Sequence, residues 1–119
     1  MIKVTIIGSG NVAQHLITAF LKSSEIEICQ VFSRNKESIS HLVDRSKITD
    51  SYDSLSESDI YIIAVSDSAI AEVSSKLPFK NRFVVHTSGS VPLEELDSKN
   101  NRGVFYPLQT FTKNKEVDF

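Results

Sequence analysis

Gly8 and Gly10 stand between the β-branched run Val4-Thr5-Ile6-Ile7 and a helical pattern opening with Asn11, Val12 and Ala13, and this is the stretch best suited to binding an anion. A turn without side chains lets a phosphate approach the unpaired N–H groups and the positive dipole end of a helix. The third fingerprint position is Ala13, a small residue that lets helix and strand pack closely. A second strand ends about 25 residues beyond Gly8, the spacing a dinucleotide fold requires. Gly8, Ser9, Gly10, Asn11 and Val12 are therefore expected to cradle a pyrophosphate. Asn11 is also placed to cap the helix.

The end of that second strand selects the dinucleotide. A carboxylate there accepts the ribose hydroxyls of NAD and repels a 2′-phosphate. No acid occurs from Ile28 to Lys36; Ser33, Arg34, Asn35 and Lys36 offer a hydroxyl, a guanidinium fork and an ammonium instead. NADP is expected in preference to NAD, with a solvated basic turn as the plain alternative. The same residues argue against an S-adenosylmethionine site, whose second strand usually ends in an acid.

Two further polar groups follow strands. Ala64-Val65-Ser66-Asp67 should face the cofactor, because ligands of such sheets lie outside the carboxyl ends of the strands; Ser66 or Asp67 can also cap the next helix. His86, Thr87 and Ser88 end a later strand on that edge, where a histidine with two hydroxyls can orient a substrate, move a proton or simply form a polar turn. His86 is the candidate catalytic residue. Gly89-Ser90 lacks the nucleophile-elbow pattern, which excludes a serine hydrolase. His15 has no second ligand at short spacing, so no metal site is expected.

These groups need strands that end on one edge. Val12, Leu16, Ala19 and Phe20 recur at three and four residues, the stripe of a helix on a sheet. Residues 25–32 read as a strand, with Cys29 as a small buried residue, and Ile39, Leu42 and Val43 predict a second helix. Lys47-Ile48-Thr49 is a short strand, and residues 50–58 a helical turn anchored by Leu55. Residues 60–65 form a continuous apolar run, as in a parallel strand buried on both faces. Ile70, Val73 and Leu77 predict a helix ended by Pro78, residues 82–85 a strand, Pro92 to Leu96 a short helix, and residues 103–106 a last strand. Such alternation predicts a doubly wound, mostly parallel α/β sheet of about six strands in three layers.

The chain has 119 residues, 40% apolar and 24% charged, enough for one globular domain over residues 1–119. Thirteen basic and fifteen acidic residues leave no surplus of cations for a nucleic-acid backbone. The apolar run near Met1 is too short for a signal peptide, and a single thiol fits a reducing compartment, so the cytoplasm is expected and a membrane is not.

With these segments in hand, the sequence resembles the N-terminal Rossmann-like domain of a bacterial family of NADP oxidoreductases that also carry a C-terminal helical domain of unknown function. The matching pieces are IIGSGNVAQHL, VFSRN, DIYIIAVSDSAI, VVHTSGSVPLEEL and GVFYPLQTF. More distantly it is similar to pyrroline-carboxylate reductases, deazaflavin-dependent NADP reductases and 3-hydroxyacid dehydrogenases. The resemblance implies a cofactor held by Gly8 to Val12, Ser33 and Arg34, with Val65, Ser66, His86, Thr87 and Ser88 lining the nicotinamide end. It implies hydride transfer involving a small carbonyl, imine or hydroxyacid substrate, with a sensor or subunit that binds NADP without turnover as the alternative. In such families a helical C-terminal domain closes the substrate site and often builds a homodimer. The chain reaches Phe119 before any such domain begins, so a truncated chain, inactive in isolation, is expected.

Overall fold

The computed structural model describes residues 1–88 and 90–104. Six strands form one sheet: β1 (Ile2–Ile7), β2 (Ile26–Phe32), β3 (Ile48–Thr49), β4 (Ile60–Ile63), β5 (Phe83–His86) and β6 (Asn101–Val104). They pair in the order β3-β2-β1-β4-β5-β6, every neighbour parallel. This is the doubly wound Rossmann fold expected from the sequence. The order reverses between β1 and β4, the point at which an open α/β sheet parts its connections and leaves a crevice.

Helix α1 (Asn11–Leu21) covers one face of the sheet and α2 (Ile70–Lys76) the other. Side chains alternate across a strand, which divides the core in two. Val4 and Ile6, Ile62 and Val85 pack with Ala13, Leu16, Ile17 and Phe20 of α1. Ile7, Tyr61, Ile63 and Val84 pack with Ile70 and Val73 of α2. Burial on both faces is the reason β4 reads as an unbroken apolar run. Each of these fully buried aliphatic side chains contributes about 1.5–3 kcal/mol relative to exposure, so the sheet edge that carries the polar turns rests on a stiff base. No helix among the described residues is long and apolar enough to cross a membrane.

Four local expectations change. Cys29 is half-buried, because the pairing of β1 with β2 steps from Val4–Ile28 to Thr5–Gln30 and passes over it. That bulge is what lets Ile28 and Val31 both reach the α1 side. The helix predicted through Ile39, Leu42 and Val43 is only a 3-10 turn at Lys36–Ser38 followed by turns. The Ser38 and Ser40 hydroxyls bond to the carbonyls of Asn35 and Glu37, local bonds that compete with a helix, yet Ile39 and Val43 are still buried. Residues 92–96 form a 3-10 turn, Leu93–Glu95, rather than a longer helix. The last strand begins earlier, at Asn101; Phe105 and Tyr106, expected to complete it, lie outside the described residues, as does Gly89.

Candidate functional site

A cleft of about 600 Å³ opens at the carboxyl ends of β1, β2 and β4, where the strand order reverses. The turn after β1 forms its floor, Phe32 to Asn35 one wall, and Ala64 to Asp67 with Glu72 and Val73 of α2 the other. Its size lies within the range of small-molecule sites.

The two glycines of the floor have different reasons to be glycine. Gly8 has φ +133°, and a Cβ on it would lie 2.2 Å from the carbonyl oxygen of Ala64. Its N–H donates to the Phe32 carbonyl at 2.9 Å, while Ala64 N–H donates to the Ile7 carbonyl at 2.8 Å, so the turn is pinned between β2 and β4. Gly10 has φ −79° and ψ −165°, a conformation open to any residue, and a Cβ on it would meet no described residue within 4 Å. Among the described residues, nothing in the fold requires this second glycine.

Gly10, not Asn11, is the cap residue of α1, since Asn11 is already helical. The helix has no side-chain cap and no acid in its first turn. Its first backbone bond runs from Gln14 N–H to the Gly10 carbonyl, leaving the amides of Asn11, Val12 and Ala13 ahead of the ladder. The Gln14 side chain donates to the Ser9 carbonyl at 2.9 Å and braces the turn. An uncapped helix start opening into a cleft has the geometry and the dipole that favour an anion.

At the end of β2, Ser33 is only 2% exposed. Its hydroxyl donates to the Asn35 carbonyl at 2.8 Å and accepts the Asn35 N–H at 3.1 Å. The Asn35 Oδ1 accepts the Glu37 N–H, tightening the same loop. Ser33 therefore shapes the loop, and Arg34 is left exposed on it. Arg34 is the one basic residue among those described as lining the cleft, and it has no ion pair among the described residues, whereas Arg45 nearby is paired with Glu37. The acids of the cleft, Asp67 and Glu72, belong to the wall formed by β4 and α2. Phe32 stacks on Tyr52 with ring centroids 4.3 Å apart, giving the β2 side an apolar surface.

Val65 and Ser66 line the cleft together with Gly8 to Val12 and Ser33 to Asn35. Ser66 begins the 3-10 turn Asp67–Ala69 without a side-chain cap bond, and Asp67 directs its carboxylate to Ser90 Oγ at 2.9 Å, so neither residue acts as a helix cap. His86, Thr87 and Ser88 stand apart. They are not among the residues described as lining the cleft. His86 is wholly buried, its Nδ1 accepts the Ser88 N–H at 3.0 Å, and its Nε2 has no partner among the described residues. Among the described residues no three His, Cys, Asp or Glu side chains converge on a metal site. Sequence reasoning missed Phe32, Tyr52, Ala69, Glu72 and Val73 as lining residues. An aromatic residue in the polar stretch 50–58 was the available signal for Tyr52.

No curated protein matches the chain. Among solved structures, a protein of Bacteroides fragilis classed as an NADP oxidoreductase is 34% identical with a TM-score of 0.76, over 98% of this chain and 47% of that one. A protein of Mycobacterium avium classed as an oxidoreductase shares 17% identity and a TM-score of 0.66, over 87% and 41% of the two chains. Prephenate dehydrogenase of A. aeolicus, solved with NAD+ and hydroxyphenyl propionate, shares 19% and a TM-score of 0.65, over 91% and 42%. The chain thus spans less than half the length of each of these three structures. The family described as NADP oxidoreductase coenzyme F420-dependent matches residues 3–89, and the chain belongs to that family.

Proposed function

We propose that this chain is the NADP(H)-binding half of a cytoplasmic oxidoreductase that passes hydride to or from a small carbonyl, imine or hydroxyacid. The observation that carries the reading is the uncapped start of α1 under Gly10, opening into a cleft whose one described basic lining residue is Arg34. The amides of Asn11, Val12 and Ala13 would hold the pyrophosphate, with the bare Gly10 permitting its approach. Arg34 would take the 2′-phosphate with its guanidinium fork, presented by the loop that Ser33 and Asn35 stiffen. Val65, Ala69 and Val73 with the Phe32–Tyr52 stack give the cleft an apolar lining. The nicotinamide, when bound, supplies the hydride. We assign the substrate contacts and a homodimer interface to a C-terminal helical domain of the kind the family resemblance implies.

Titration calorimetry tests the phosphate assignment. Arg34→Ala weakens NADPH binding by about 1–3 kcal/mol, the range for a hydrogen bond to a charged group, and leaves NADH almost untouched. Equal loss for both nucleotides would sink it. The reaction is tested by NADPH oxidation with the complete gene product across carbonyls, imines and the coenzyme F420 of the family description. Turnover of F420 alone would replace the small-substrate reading, and tight NADPH binding with no turnover would make the protein a sensor or subunit.

A further inference from the structure

We infer that Asp67 is a positioning residue, whose carboxylate at the rim of the cleft holds the turn after β5 in place. Asp67 and Ser90 are 23 residues apart and follow neighbouring strands, β4 and β5. The Ser90 hydroxyl donates to Asp67 Oδ2 at 2.9 Å. Behind it, Ser90 Oγ and Ser88 Oγ lie 3.1 Å apart, Ser90 N–H donates to Ser88 Oγ at 3.2 Å, and Ser88 N–H donates to His86 Nδ1 at 3.0 Å. A continuous run of hydrogen bonds thus connects an exposed carboxylate of the cleft wall with the buried imidazole that ends β5. The 3-10 turn of Asp67 does not need that carboxylate, since Ala69 N–H is satisfied by the Ser66 carbonyl. Among the described residues, the Asp67 carboxylate is the side chain that ties this turn to the cleft.

The consequence for binding rests on the dinucleotide reading. In a doubly wound sheet the strands beyond the switch point serve the half of the ligand away from the adenosine. Loosening the turn after β5 should therefore weaken the nicotinamide half and spare the adenosine half.

The test compares Asp67→Ala and Asp67→Asn in the full chain, both at an exposed position. Without ligand, the backbone order parameters of Ser88 and Ser90 stand near about 0.85 in the parent and fall toward about 0.6 in Asp67→Ala, while Asp67→Asn, which keeps an accepting oxygen, retains the parent values. With ligand, Asp67→Ala binds NADPH about five- to tenfold more weakly, the worth of one ordinary hydrogen bond, and binds 2′-phosphoadenosine diphosphoribose as the parent does. Unchanged order parameters in Asp67→Ala overturn the inference, as does Asp67→Asn behaving like Asp67→Ala or equal loss of both ligands. A parent chain that binds neither ligand overturns the dinucleotide reading instead, and the order parameters still decide the role of Asp67.

Discussion

Replacing Gly8 by alanine costs about 3–5 kcal/mol, with about 1–3 kcal/mol from forcing a Cβ onto backbone at positive φ and about 2 kcal/mol from overpacking. The origin is local and named. The added carbon would sit 2.2 Å from the Ala64 oxygen and 2.9 Å from the Ala64 carbonyl carbon, with Val65 Cγ1 close behind. None of these atoms lies at the free end of a long side chain, and Ala64 is fixed by its bond to Ile7 at the join of β1 and β4. Relief requires the central strands to part. Set against a typical stability of about 5–15 kcal/mol, the loss leaves a chain that is marginally folded. Thermal unfolding followed by circular dichroism should show a fall of roughly 10–25 °C, and a melting temperature equal to that of the parent would show that the turn can be rebuilt without glycine.

Gly10→Val has the opposite signature, an intact fold with the nucleotide lost. The backbone at Gly10 is extended, and no described residue lies within 4 Å of a Cβ added there, so the folded chain accepts a side chain at this position. Valine is a poor N-cap, which sets the stability cost at about 1 kcal/mol. The same side chain occupies the approach to the amides of Asn11, Val12 and Ala13, and affinity for NADPH and NADH alike should fall at least about a hundredfold. Calorimetry and a thermal melt on one preparation separate the two effects. A variant that melts like the parent and still binds would show that no ligand lies over this glycine.

The contrast between these glycines marks how far the sequence could be read. Both were legible as a fingerprint, because a strand, a glycine turn and a helix follow each other locally along the chain. Which glycine serves the fold was not, since the contact that decides it comes from Ala64, more than fifty positions away. The doubly wound parallel sheet followed from the alternation of elements and the rule for their connections; the order of its strands is seen only in the structure. The helix expected at Ile39 to Val43 failed because apolar spacing records burial, which occurs, whereas the serine and asparagine side chains decide the backbone. Cys29 was misplaced for a related reason: a bulge shifts the register of β2 and has no signature in an alternation of Ile and Val.

At the site, Arg34 was legible as a cation at a strand end. The role of Ser33 was not, because a hydroxyl that could meet a phosphate and one that closes its own turn read alike in a sequence. Tyr52 reaches the cleft by stacking on Phe32 across twenty positions, a contact set by the pairing of β3 with β2 and the turn that follows β3. His86 was legible as polar and close to the right edge of the sheet. Its burial comes from its place in β5 between β4 and β6, and its bond to Ser88 from the turn that follows, which is tied to Asp67 on another strand end.

The central claim is that the start of α1 holds the pyrophosphate of a dinucleotide whose 2′-phosphate meets Arg34. A crystal of the chain soaked with NADP tests it most directly. The expected result is electron density running over Gly10 to the amides of Asn11, Val12 and Ala13, with a phosphate within hydrogen-bond distance of the Arg34 guanidinium. Density for the nucleotide elsewhere on the surface, or a phosphate turned away from Arg34 toward solvent, would contradict it.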